Sequence, residues 1–269
     1  MKSFFYHKRL CLTILLVFSA AVQILAGVAD GISHNGCLNS SDSCEFRFMT
    51  YNIRVGKGID QVKDLERIAA VIIREKPDVV ALQEVDSVTS RTGGVDQIRE
   101  LRRMTGMHGV FASALEFDGG KYGVGILSRE EPLSFKRVPL PGREEPRVLL
   151  IVEFSDFVAM STHFSLTEED RIASAEILNR EAMLLDKPLL VGGDFNSEPQ
   201  SKPVRVLGKI FTLLSDDTQP TFPADQPKVC IDYVFAKRSE YYSFKILNQI
   251  VVPESIASDH RPVLVTLKK

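Results

Sequence analysis

Apolar residues along this chain recur with two periods. Short runs that are wholly apolar, or in which apolar and polar residues alternate, read as strands at residues 46–51, 77–83, 123–127, 148–154, 157–162, 189–193, 229–235, 244–251 and 262–267, with another around Val110-Phe111. Val62, Leu65, Ile68, Ala69, Ile72 and Ile73 instead recur at helical spacing and predict an amphipathic helix that stops before Pro77. A second helix is predicted after Thr167: Thr167-Glu168-Glu169-Asp170 has the form of a cap with an acidic first turn, and Ile172, Ala175, Leu178, Ala182 and Leu185 make one face. Gly119-Gly120 with Gly123 and Gly125 reads as a hairpin with close strand contact, because the spacing is not that of a phosphate-binding loop and no helix signal follows. Many strands, two clear helices, no long repeat and no linker after Phe46 predict one α/β (α+β) domain over residues 46–269, with mixed sheets inside and helices outside.

The first 45 residues do not fit that pattern. Lys2, Lys8 and Arg9 precede an apolar run from Leu10 to Val22, and the small residues Ala26, Gly27 and Ala29 follow, so residues 1–29 read as a signal peptide and 30–45 as a lead-in segment. Gln23 cuts the run below the ~20 apolar residues of a spanning helix, which disfavours an uncleaved anchor. The expected location is secreted or periplasmic, with no stable membrane span in the mature chain. Cys37 and Cys44 could close a small disulfide loop in an oxidising compartment or remain two free thiols; without a nearby His or further Cys they do not suggest zinc.

Charge narrows the partners. Lys and Arg number 33 against 35 Asp and Glu, and removing Lys2, Lys8 and Arg9 with the leader lowers the net charge from −2 to −5. An acidic protein is a poor general coat for nucleic acid, whose sequence-independent affinity comes from Lys and Arg on phosphates, although a local basic groove would be compatible with it.

The chemistry lies where strand-like runs end. One ends at Asn52, one at Glu84 and one at Asp194 with Asn196 just beyond, while Ser258-Asp259-His260 leads into the last strand. Glu84, Asp259 and the amide oxygen of Asn52 are hard donors suited to Mg²⁺ or Mn²⁺. His163 and His260 are two of five histidines, and Asp259 or the Ile231-Asp232-Tyr233 strand could supply a carboxylate that fixes the tautomer of His260. Any one of these residues alone would be an ordinary turn or surface polar group. Several at the ends of successive strands describe a site.

Taken in order, Thr50-Tyr51-Asn52, Leu82-Gln83-Glu84, Gly123-Val124-Gly125-Ile126-Leu127-Ser128, Thr162-His163, Gly193-Asp194-Phe195-Asn196, Ile231-Asp232-Tyr233 and Ser258-Asp259-His260 resemble the endonuclease/exonuclease/phosphatase superfamily of Mg²⁺-dependent phosphoesterases, which includes DNase I. The resemblance spans about residues 46–267. It implies a DNase I-like four-layer α/β/β/α sandwich of two mixed sheets, with metal ligands Glu84, Asn52 and Asp259. It implies that Asp194 orients or deprotonates the attacking water, that Asn196 contacts the phosphate, that His260 polarised by Asp232 is the acid/base partner, and that His163 stabilises charge on phosphoryl oxygens. Arg91-Thr92-Gly93-Gly94-Val95-Asp96-Gln97 and Tyr122-Gly123 resemble a group of small secreted or membrane-linked members, which would turn Arg91 to substrate phosphate; a solvated loop charge is the other reading of Arg91.

Three functions follow as expectations. The first is a metal-dependent hydrolase of a phosphodiester, lipid headgroup or small phosphoester, acting as a monomer. The second is a secreted nuclease on DNA or RNA, which the acidic charge disfavours. The third is an inactive binding module, disfavoured because every position that carries chemistry holds a competent residue.

Overall fold

The fold begins with a β–α–β unit. In the computed structural model, which describes residues 45–268, strand β1 (Glu45–Asn52) leads through helix α1 (Leu65–Glu75) to strand β2 (Val79–Ser87), its parallel neighbour. The predicted leader, the lead-in up to residue 44 and the Cys37/Cys44 pair lie outside the described residues, and Glu45, the last residue of the predicted lead-in, opens β1. Helix α2 (Gln97–Thr105) and the hairpin β3 (His108–Phe117) and β4 (Gly120–Ser128) follow. The second sheet takes β5 (Ser134–Leu140), β6 (Arg147–Glu153) and β7 (Val158–His163), crosses over by α3 (Glu168–Met183) to the parallel β8 (Leu189–Asp194), and finishes with α4 (Lys202–Leu207), β9 (Phe211–Leu213) and β10 (Asp232–Lys237). Strands β11 (Lys245–Val251) and β12 (Val263–Lys268) return to the first sheet. The sheet orders are β11-β12-β1-β2-β4-β3 and β5-β6-β7-β8-β10-β9.

Three apolar clusters stack these elements into four layers. Phe48, Ala81, Val124, Leu150, Ala159, Val234 and Val265 fill the space between the sheets. Ile68 and Ile72 of α1 and Ile98 and Leu101 of α2 cover the outer face of the first sheet. Ala175, Leu178 and Ala182 of α3 and Leu207 of α4 cover the outer face of the second. Each large side chain so buried contributes roughly 1.5–3 kcal/mol, and together they set the α/β/β/α order that the family resemblance implies. At Gly192 the sheets touch: a Cβ there would lie 2.8 Å from Phe48 and 2.9 Å from both Ala81 and Thr50. Beside it a buried polar bridge joins the layers, in which Thr50 Oγ1 donates to Gln83 Oε1 at 3.3 Å and Gln83 Nε2 donates to Ser161 Oγ at 3.3 Å.

Local chemistry moves several boundaries. Helix α1 starts at Leu65 because the Asp64 carboxylate caps the Glu66 and Arg67 N–H groups, so Val62 precedes it, and Ile73 lies on its exposed side. Helices α2 and α4 and strands β5 and β9 were not predicted. Helix α2 has few apolar residues to show a period and is delimited by its ends, the Asp96 cap and Gly106 at φ 71°. Strand β5 is a largely exposed edge bearing Lys136 and Arg137, without the apolar run of an inner strand. The glycine-rich segment forms the predicted hairpin, turning at Asp118-Gly119, both with positive φ (47° and 80°). Among the described residues no helix is long and apolar enough to cross a membrane.

Strand direction assembles the site. Parallel neighbours finish at the same edge, which brings the last residues of β1 and β2 together, and likewise those of β7 and β8. Strands β12 and β10 run antiparallel to β1 and β8, so they present the residues around their starts, Asp259-His260 and Asp232, to that same edge.

Candidate active site

Two β–α–β units and two antiparallel strand starts converge on Asp194. Its Oδ2 lies 3.1 Å from Asn52 Nδ2, 3.4 Å from His163 Nε2 and 3.6 Å from His260 Nε2, while Oδ1 accepts the Asn196 N–H at 2.9 Å. Behind His260, Asp232 Oδ2 meets Nδ1 at 2.9 Å and also accepts the Thr221 hydroxyl at 2.6 Å. All of these are buried apart from Asn196, which is half-buried. Burial opposes charge on His260, but Asp232 and then Asp194 outweigh it and hold the imidazole at about 10. Burial pushes Asp194 up to about 7 against the pull of His260. His163 is held well below the usual range, first by burial and then by Arg147. One imidazole is thereby kept charged and the other neutral.

Glu84 reaches this group through a distortion. Strand β2 slips register against β4 between Leu82 and Val85, and Glu84 takes φ 55°, a left-handed conformation costing about 1–3 kcal/mol. Its Oε1 accepts from Asn52 Nδ2 at 3.0 Å. Burial raises its pKa, and no cationic side chain pairs with it among the described residues. A half-buried carboxylate in no direct ion pair, close to Asp259, with Asn52 bridging it to Asp194, is a donor set that fits a hard divalent ion. Asp259 is already paired, its Oδ2 3.1 Å from Arg54 Nε. The Asn52 amide presents its nitrogen to both carboxylates, whereas its Oδ1, the atom expected to face a metal, accepts the Arg54 N–H at 3.1 Å. A second potential set is Asp194, Asp232 and His260, whose ligand atoms lie within 4.8 Å of one another. There the 2.9 Å contact between imidazole and carboxylate has the length of a proton-bearing hydrogen bond.

The structure thus brings Asn52, Glu84, His163, Asp194, Asp232, Asp259 and His260 to one edge. Asn196, at φ 46°, caps the turn after β8 and donates Nδ2 to Phe164 O at 2.9 Å. Arg91 sits on a single turn after β2 and is fixed in place: Nε and Nη2 each lie 2.7 Å from the buried Asp86 carboxylate, and its guanidinium stacks on Phe117 at 4.3 Å and Tyr122 at 5.1 Å. Sequence reasoning passed over Arg147, a buried guanidinium whose Nη1 lies 3.1 Å from His163 Nδ1 and 3.0 Å from Glu145 Oε1. The signal was an arginine at the mouth of an otherwise apolar strand, a place where a charge must have partners. Arg54 and Thr221 were also passed over, since neither stands near its partner in sequence.

The sequence matches the Endonuclease/Exonuclease/phosphatase family over residues 49–260. A search of curated proteins finds none that matches. Among solved structures, an endonuclease/exonuclease/phosphatase from Beutenbergia cavernae is 26% identical, with 83% of this chain and 71% of that one aligned at a TM-score of 0.71. A mannosyl-6-phosphatase from Bacteroides thetaiotaomicron is 17% identical, with 83% and 100% aligned at 0.68. TDP2 from D. rerio, complexed with a single-strand DNA product, is 16% identical, with 84% and 99% aligned at 0.66. With hard donors and two imidazoles gathered at one sheet edge, and with a match that begins inside the first strand and ends on His260, the chain belongs to the endonuclease/exonuclease/phosphatase family of phosphoester hydrolases.

Proposed function

We propose that the protein is an exported, divalent-metal-dependent hydrolase that cleaves a small phosphoester or a phosphorylated lipid headgroup by attack of water on phosphorus. The observation that carries this reading is the line from Asp232 through His260 to Asp194, with Asn52 and Glu84 alongside. In it Asp194, a carboxylate raised to about 7, has the basicity to orient a water and accept its proton near neutrality. His260, kept protonated by Asp232 and Asp194, presents Nε2–H to oxygen on the scissile phosphate. Glu84, with Asn52 and Asp259 close by, would hold Mg²⁺ or Mn²⁺. That ion when bound offsets negative charge building on the phosphoryl oxygens. Asn196 would contact the phosphate, and Arg91, two of whose nitrogens are engaged by Asp86, would present its remaining face to the same group.

The acidic balance of the chain and the carboxylates Glu144 and Glu145 beside Arg147 favour a compact substrate over a polyanion. Hydrolysis of a generic phosphodiester, a sugar phosphate, phosphatidylinositol, sphingomyelin and supercoiled DNA, each with Mg²⁺ and with EDTA, tests the proposal. Turnover of a small or lipid phosphoester, lost in EDTA while DNA stays intact, is the expected result. DNA cleavage alone would replace this reading with a nuclease. Export by the leader belongs to the same proposal, and an N-terminus at Asp30 in protein recovered outside the cytoplasm is its expected signature.

A further inference from the structure

Arg147 touches only one of the residues assigned to the chemistry, and it does so through a ring nitrogen. Its side chain, 7% exposed, places Nη1 3.1 Å from Nδ1 of His163. A guanidinium has five N–H donors and no acceptor, and it stays charged at any ordinary pH. The imidazole nitrogen facing it must therefore be the bare one. The single ring proton of His163 then sits on Nε2, which lies 3.4 Å from Asp194 Oδ2 at the centre of the site. Glu145 Oε1 lies 3.0 Å from the same Arg147 Nη1, which carries two protons and can serve both partners, and Glu144 Oε1 lies 3.7 Å from Nη2. Strand pairing fixes the frame, because β6, which Arg147 opens, is the antiparallel neighbour of β7, which His163 closes.

We infer that Arg147 is a positioning residue that locks His163 in the neutral Nε2–H tautomer, so that this imidazole serves the reaction only as a hydrogen-bond donor to a phosphoryl oxygen. A cation donating into Nδ1 also draws electron density from the ring and makes Nε2–H the stronger donor, which matters most when negative charge builds on the oxygen it faces. The two histidines thus have opposite settings: a carboxylate behind His260 and a guanidinium behind His163. The donor role rests on the reading of the site as a phosphoester hydrolase, whereas the tautomer does not.

The test separates the two. Long-range ¹⁵N–¹H spectra of the full chain, labelled with ¹⁵N-histidine and recorded near neutral pH, report which ring nitrogen carries the proton, with His163→Gln used for assignment. The wild type is expected to show His163 as the Nε2–H form. Arg147→Met is expected to show an Nδ1–H or mixed form with the His260 signals unmoved, and Arg147→Lys, which keeps a cationic donor, should restore the Nε2–H form. On a phosphoester that the wild type turns over, Arg147→Met should lose roughly 100-fold in kcat with KM changed by less than about threefold, as when one oxyanion donor is removed. Arg147→Lys should recover most of that loss. An Nδ1–H or doubly protonated His163 in the wild type overturns the inference even if no variant folds. So does an unchanged tautomer in Arg147→Met. The expected spectra together with no turnover of any phosphoester would overturn the donor role and the function above while leaving the tautomer lock standing.

Discussion

Replacing Asp232 by Asn removes one charge from the core of the site and changes almost nothing in volume. The Asp232 carboxylate accepts two bonds through Oδ2, from the Thr221 hydroxyl at 2.6 Å and from His260 Nδ1 at 2.9 Å, and the residue is 1% exposed. Bonds to an ionised acceptor contribute about 1.5–3 kcal/mol against about 1 for neutral ones, so making both neutral should cost about 1–4 kcal/mol of stability. That cost depends on pH in a predictable direction. His260 is raised from 6.5 to about 10, so the stability it adds is complete below its unfolded value and is lost as the pH rises through about 10. The gap between wild type and Asp232→Asn in urea unfolding should therefore be widest below about pH 6.5 and should narrow towards pH 10. Catalysis should suffer more than folding: the imidazole loses the stronger of the two anions that keep it charged and is held only by a weaker neutral bond, which corresponds to a loss of roughly 10²–10⁴ in kcat. A variant with kcat within a few-fold of wild type, or one whose stability deficit does not change with pH, would refute the role given to the Asp232–His260 pair.

Three further outcomes are expected. Burial raises Glu84 and Asp194 in the metal-free site, so stability is lost as the pH rises above their unfolded values, and added Mg²⁺ should raise the melting temperature more at pH 8 than at pH 5.5; Glu84→Gln should abolish most of that response in a thermal-shift series. Gly192→Ala forces a methyl against Phe48, Ala81 and Thr50, and overpacking of this kind should cost about 1–3 kcal/mol in urea unfolding. Arg91→Lys keeps the charge but gives up the paired bonds to Asp86 and the stack on Phe117 and Tyr122; loss of activity in Arg91→Lys close to that in Arg91→Ala would show that the planar fork, not the charge alone, is what the site uses.

The sequence carried the strand ends more clearly than the strand edges. Inner strands such as β8, buried at every position, announce themselves as apolar runs, and the residue that breaks such a run at the rim is polar for a reason. That is why Asn52, Glu84 and Asp194 could be read in order, whereas Asp232, inside the predicted run 229–235, was noticed only as a carboxylate that could partner His260. Strand β5 and helix α2 were invisible because one is an exposed edge and the other is held by its caps more than by an apolar face. Contacts distant in sequence were equally hidden: the pairing of Arg54 with Asp259 spans most of the domain, and nothing near either residue foretells it. The left-handed Glu84 could not have been foreseen, since glutamate has no preference for that conformation and only the surrounding ladder imposes it.

Backbone strain and site geometry meet in the same few residues. Along the rim Glu84 has φ 55°, Asn196 φ 46°, and Arg54 and the buried Val55 φ 44° and 49°. A β-branched residue in that region is strained, and Val55 is held there from outside: its carbonyl accepts Gln97 Nε2 at 2.7 Å while the same amide's oxygen accepts the Asp86 N–H at 2.9 Å. Asp86 in turn anchors Arg91. The turn that carries Arg54 to Asp259 and the loop that carries Arg91 are therefore tied through a single glutamine buried between them. Regular strands can bring backbone ends to one edge, but they cannot aim a glutamate inward from a fully paired ladder or turn an arginine back over its own strand. Those last adjustments require conformations that the local sequence disfavours. The cost is met by packing and hydrogen bonds elsewhere, so Gln97→Ala should loosen both arginines at once without touching any reacting group.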